Sequence, residues 1–120
     1  MKTYNTLLQE LVTAQDADAL FEMANLVPQD TGLPFVVWIS PRGNARHDVR
    51  VKVSKNAKAI PSQMVSVTLR PTVEVVEGSM KASDLSLLKK WLELNHDLIL
   101  KYWDGTIEST KTVVNAIQHI

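Results

Sequence analysis

Phe35-Val36-Val37-Trp38-Ile39-Ser40-Pro41-Arg42-Gly43-Asn44-Ala45-Arg46-His47-Asp48-Val49-Arg50-Val51-Lys52-Val53 is the stretch that decides how this chain folds. Its opening run is β-branched and aromatic, which suits a strand buried within a sheet. Its closing run alternates strictly, with Val49, Val51 and Val53 on one face and Arg50 and Lys52 on the other. Pro41-Arg42-Gly43-Asn44-Ala45 between them carries turn chemistry, so the two runs read as an antiparallel hairpin.

Reading downstream, residues 64–70 and 72–76 are two more alternating runs on either side of Pro71. That proline confines its neighbourhood to an edge, a bulge or a bend. A four-stranded antiparallel sheet follows. Its inward face takes Phe35, Val37, Ile39, Val49, Val51, Val53, Val65, Val67, Leu69, Val73 and Val75. The outward face takes Trp38, Ser40, Arg50, Lys52, Ser66, Thr68, Arg70 and Glu74.

Helical periodicity flanks the sheet. From residue 6 to 26, Leu7, Leu8, Leu11, Val12, Leu20, Phe21 and Ala24 recur at i, i+3 and i+4 steps, which predicts an N-terminal helix. Asp16 suits the N-cap of a second helix, so a kink or break is expected there. Ser83 reads as the N-cap of the strongest helix, over residues 83–104, with Leu85, Leu88, Trp91, Leu92, Leu98, Ile99, Tyr102 and Trp103 as its apolar positions and Gly105 as a C′ residue. A short helix over residues 109–118 ends the chain. The order predicts one α+β domain over residues 1–120, with the long and the short C-terminal helix packed on one sheet face.

The chain has 120 residues, 45% apolar and 22% charged, which is ordinary for a globular domain. Thirteen Lys and Arg balance thirteen Asp and Glu, and cysteine is absent. That excludes disulfides, thiolate metal sites and a cysteine nucleophile. Zero net charge hides three blocks: −4 over residues 1–30, +6 over residues 42–70 and −2 over residues 74–120. Acidic and basic blocks of this kind attract each other or leave the middle as a local positive face. The longest apolar run, Phe35 to Ile39, falls far short of the ~20 residues a membrane span needs. With no secretory apolar run either, the expected location is cytoplasmic, with no membrane partner.

Two places could hold an anion. On the outward face, Trp38 among Arg50, Lys52 and Arg70 offers a stacking ring with cations, as single-stranded nucleic acid or a phosphorylated small molecule would need. The competing structural reading covers Trp38 with a neighbouring element. In the loop, Gly43 lets the backbone approach an anion between Arg42 and Arg46, with His47 beside them. Its competing reading is a tip kept soluble by charge. No GxxxxGK[ST], GxGxxG or GxSxG motif is present.

Ser40, His47 and Asp48 are the residue types of a hydrolase, but adjacent strand residues face opposite ways. His47, His96 and His119 lack metal-ligand spacing. No cofactor or metal is expected, and nothing commits the chain to catalysis. The leucine-rich long helix is apolar around more than one face, which predicts a homodimer.

The stretch from Thr31-Gly32-Leu33-Pro34 through the quoted hairpin to Val53, together with Trp91-Leu92-Glu93-Leu94-Asn95 and Tyr102-Trp103-Asp104-Gly105, resembles a family of small uncharacterised bacterial proteins of the accessory, mobile gene cassette type. The resemblance covers roughly residues 31–120 and brings no catalytic residue, because the family has no known activity. It implies that the basic hairpin and the helix end form one unit.

The expected function is a non-enzymatic binding or protein-interaction module. Arg42, Arg46, His47 and Arg50 would contact an anionic ligand or partner. The alternative is a nucleic-acid-binding protein using Trp38, Arg50, Lys52 and Arg70.

Overall fold

The structure is a computed structural model that describes residues 23–55 and 60–120. The expected N-terminal helix falls outside the described residues except at its end, and there the structure corrects it. Residues Ala24–Leu26 form a strand, β1, paired antiparallel with Ile39 to Val37. Ala24 and Leu26 are buried while Asn25 between them is exposed, so the backbone runs at period two where the apolar spacing suggested 3.6. Pro28–Thr31 adds a four-residue helix, α1, in which the Asp30 carboxylate accepts a hydrogen bond from the Val27 N–H at 3.0 Å.

The sheet therefore has five strands, not the expected four. β2 (Val36–Ile39), β3 (Arg50–Ser54), β4 (Val65–Thr68) and β5 (Val75–Glu77) follow β1, and strand order equals chain order. All neighbours are antiparallel. The last strand is shorter than its alternation suggested. Ser66 faces Glu77 and Val67 faces Val75, so Val76 is an extra residue in a bulge and stands exposed. The Arg70–Pro71 peptide is cis, at the bend between β4 and β5.

One long helix, α2 (Ala82–Trp103), and a short one, α3 (Thr110–Ala116), complete the fold. Lys81 takes the N-cap position of α2 instead of Ser83, and makes no side-chain cap hydrogen bond. At the other end Gly105 has φ +86, as a C′ glycine requires. Ser109 caps α3 by accepting from the Thr112 N–H at 3.2 Å.

The inward face read from the alternation is the core. Phe35, Val37, Ile39, Val49, Val51, Val53, Val67 and Leu69 are buried in one cluster with Leu88, Trp91, Leu92, Ile99, Tyr102, Trp103 and Val113. Val65, Val73 and Val75 pack against it, partly buried. Both C-terminal helices thus serve one sheet face. The helical surplus that predicted a homodimer is largely absorbed, because Leu85, Leu87, Leu98 and Leu100 also pack on this cluster. Among the described residues only Val76, Leu94 and Ile120 are large apolar side chains left exposed.

The outward face holds a second, small cluster of Val36, Trp38 and Met64, joined by Met23 and Val27. The chain's last residues are tied back to the body. Asn95, buried within α2, donates from Nδ2 to the carbonyls of Trp91 (3.1 Å) and Gln118 (3.0 Å) and accepts from the Gln118 N–H (2.8 Å). Beyond it the Ile120 N–H donates to the Thr31 carbonyl at 3.0 Å. No helix among the described residues is long and apolar enough to cross a membrane.

Candidate functional site

The loop of residues 40–49 joins β2 to β3 and lies against the C-terminal end of α2. A helix leaves its last carbonyls without internal partners, and the loop supplies one. The Arg42 N–H donates to the Trp103 carbonyl at 2.9 Å. The Ala45 N–H donates to the Arg42 carbonyl at 2.9 Å, closing a turn in which Gly43 takes φ +50. Ala45 packs on the core and Val49 is fully buried within it. The tip is thus anchored on both sides.

His47 lies over the indole of Trp103, with ring centroids 6.0 Å apart and planes 24° from parallel. Its Nδ1 is 2.6 Å from the Asp48 carbonyl, which can only accept, so Nδ1 carries the hydrogen. The Asp48 carboxylate receives two parallel hydrogen bonds from Arg70, Nε to Oδ2 at 2.8 Å and Nη2 to Oδ1 at 2.9 Å. This bidentate fork is the strongest geometry the two groups allow. It holds the Asp48 carboxyl down at about 2, with the Val49 backbone N–H adding to the effect. In turn Asp48 raises the Arg70 guanidinium. Asp104 is also lowered, mainly because its Oδ1 accepts from both the hydroxyl (2.6 Å) and the N–H (2.9 Å) of Thr106.

These contacts sort the residues the sequence singled out. Arg42, Arg46 and His47 lie on the loop that meets the helix end, and Arg70 joins them through Asp48. Arg42 and Arg46 are exposed and enter no ion pair among the described residues. Arg70 is engaged by Asp48, and Arg50 reaches Glu77 at 3.5 Å across the outward face. Lys52 sits on that face opposite Trp38 and Ser66, half-buried.

Trp38 is corrected. Only 6% of it is exposed, and its indole N–H donates to the Ser54 hydroxyl at 2.7 Å in a buried contact. Alternation gave its face correctly, but the ring lies under cover and presents no surface on which a base could stack.

A catalytic relay is not assembled here. Both oxygens of Asp48 are turned to Arg70, and the Nδ1 of His47 is committed to a backbone carbonyl. His96 and Asp97, 3.4 Å apart, border a cleft of about 630 Å³ that also takes in Leu94, Lys101, Ile107 and Gln118, with no hydroxyl or thiol among the described residues that line it. No group of three or more His, Asp or Glu side chains among the described residues is placed to hold a metal ion.

Two members of the assembly escaped the sequence reading. Trp103 was read as core, and it is, yet its ring is also the platform for His47. Asp48 was read beside His47 and not as the partner of Arg70. The signal for that pair was present: Arg50 faces Thr68, and two positions further out along the same register Asp48 meets Arg70.

A family model described as "Domain of unknown function (DUF4160)" matches residues 57–104. The match takes in Arg70 and the whole of α2 to Trp103, while the hairpin loop itself lies before it. It agrees with a resemblance to an uncharacterised small protein family and carries no activity. No curated protein and no solved structure matches the chain.

Proposed function

We propose that this protein is a non-enzymatic binding or interaction module that contacts an anionic ligand or partner through the tip of its β2–β3 loop, with Arg42 and Arg46 as the contacting groups. The observation that carries this reading is a division of labour among cations. Arg70 and Arg50 are consumed by Asp48 and Glu77, whereas Arg42 and Arg46, on the same basic stretch, enter no ion pair among the described residues. The backbone beneath them is already fixed by the Trp103 carbonyl, the His47–Trp103 stack and the Asp48–Arg70 fork. A loop ordered before binding loses less entropy on binding than a mobile one. Arginine suits this role because its planar fork matches a carboxylate or phosphate with two hydrogen bonds.

The nucleic-acid alternative loses its stacking ring with the burial of Trp38, so single-stranded DNA serves as a control and not as the expected ligand. The experiment is a ¹⁵N-correlation titration with an oligoglutamate peptide, with inorganic phosphate and oligothymidine in parallel. Oligoglutamate is expected to shift the amides of residues 42–47 in a salt-dependent manner. The Arg42→Glu/Arg46→Glu double variant should weaken it by roughly tenfold or more, since two exposed charges are each worth up to about 1 kcal/mol. Folding should be unchanged, because the anchoring contacts use backbone groups and other side chains. Unaltered affinity in the double variant, or shifts that avoid the loop, would overturn the proposal. Tighter binding of oligothymidine than of oligoglutamate would restore the nucleic-acid reading.

A further inference from the structure

A second concave site lies at the opposite end of the molecule from the basic loop. It is a cleft of about 520 Å³ between the end of β3, the start of β4 and the first turn of α2. The loop meets the last turn of α2, so the two places are separated by the length of that 22-residue helix, ~33 Å at 1.5 Å per residue. Buried Phe35 and half-buried Val65 and Met80 give the cleft an apolar lining. Lys55, Lys81 and Asp84 supply its charge. None of the three enters an ion pair among the described residues. Among the described residues, two ammonium groups against one carboxylate leave one net positive charge over an apolar lining.

We infer that this cleft is a binding site for a small organic monoanion with an apolar body, such as a medium-chain or aromatic carboxylate. Its volume falls within the usual ~300–1,000 Å³ of small-ligand pockets, which are mostly apolar with a few placed polar groups. The apolar body lies against Phe35, Val65 and Met80, and the anionic head meets Lys55 and Lys81. A dianion is disfavoured, because Asp84 shares the cleft and repels a second negative charge. A cationic amphiphile is disfavoured by the two lysines. The site does not depend on the loop proposal.

Octanoate and octylammonium, which share a tail and differ in head charge, test the inference by ¹⁵N-correlation titration of the whole chain. Octanoate is expected to shift the amides around Ser54, Val65 and Ser79 to Asp84, with a Kd on the order of a millimolar for a ligand of about ten heavy atoms. Octylammonium should bind at least tenfold more weakly. Lys81→Gln is expected to weaken octanoate about fivefold, and Asp84→Asn to tighten it by a similar factor. The Lys81 side chain caps nothing, so its loss leaves α2 intact. The opposite signs of the two substitutions separate an electrostatic site from general loosening of the fold. Equal or tighter binding of octylammonium, shifts scattered over the surface, weaker octanoate binding in Asp84→Asn, or no shift at ~20 mM octanoate would each overturn it.

Discussion

Replacing Asn95 by alanine tests whether the end of the chain is part of the folded body. Asn95 is 2% exposed, and its amide makes three hydrogen bonds there: one N–H to the Trp91 carbonyl, the other to the Gln118 carbonyl, and its oxygen accepts from the Gln118 N–H. The side-chain amide pairs with both backbone groups of one tail residue, Gln118, much as a neighbouring strand would. A net hydrogen bond in a folded protein contributes about 1 kcal/mol, and more is lost when a buried partner is left unsatisfied. The Trp91 carbonyl keeps its helical partner, and the Gln118 groups are only partly buried, so water recovers some of the loss. Three bonds with partial recovery give about 2–3 kcal/mol.

The measurement is urea unfolding followed by tryptophan fluorescence, with thermal unfolding beside it. At a slope of roughly 1.5 kcal/mol per molar urea, the midpoint should fall by about 1.5–2 M. The melting temperature should fall by about 8–12 °C. Hydrogen exchange supplies the local readout: the Gln118 and Ile120 amides, slow in the parent, should exchange much faster in the variant. A loss below about 1 kcal/mol, or unchanged protection at Gln118, would refute the argument, because the amide would then not be holding the tail.

Two further outcomes follow from single positions. Gly32 has φ +80, and a Cβ there would lie 2.7 Å from the His119 ring and 2.9 Å from the Ile120 carbonyl. Gly105 has φ +86 with nothing within 4 Å. Both changes to alanine carry the left-handed backbone cost of about 1–2 kcal/mol, but only Gly32→Ala should also release the tail amides to exchange, and equal behaviour of the two variants would contradict the packing described. The third outcome concerns acid. The Asp48 carboxyl falls from its usual 3.8 to about 2 in the folded chain, so its stabilisation is fully present above about pH 4 and is lost as pH falls toward 2. The stability difference between the parent and Asp48→Asn should be constant above pH 4 and shrink by pH 2, and a difference that grows with acid would contradict the sign.

Period-two alternation carried most of the sheet. Val49, Val51 and Val53 turned inward, and Arg50 and Lys52 outward, because one face of the strand had to be buried. The same signal failed at Ala24–Leu26, where three residues are too few to establish a period and the pairing with β2 decided the conformation. It also could not say which outward residues would be covered. Trp38, Ser54 and Ser66 share the polar face with Lys52, yet all three are buried. Alternation assigns a side chain to a face, whereas exposure depends on what packs there. Asn95 was invisible for a related reason: in a helix rich in leucine one asparagine reads as surface, and only the returning tail makes it a buried latch.

Charge is where sequence and structure combine most usefully. The +6 block over residues 42–70 looked like one positive face. Folding divides it. β3 runs through its middle and separates Arg42 and Arg46 from Lys55, while Arg50 and Arg70 are neutralised by acids that pairing brings across the sheet. Among the described residues, Arg42 and Arg46 on the anchored loop and Lys55 at the rim of an apolar cleft, where Lys81 joins it, are left without an ion pair at opposite ends of α2, and Lys52 lies half-buried on the outward face. At physiological ionic strength the screening length is ~8 Å, a fraction of the ~33 Å between the helix ends. The proposed loop site and the proposed cleft site would therefore bind independently of each other. The loop, exposed and without an apolar floor, suits an extended acidic partner. The cleft carries Lys55 and Lys81 at its rim over Phe35, Val65 and Met80 and suits a compact anion instead, so folding splits the basic stretch and joins one end of it to Lys81 to make two different surfaces.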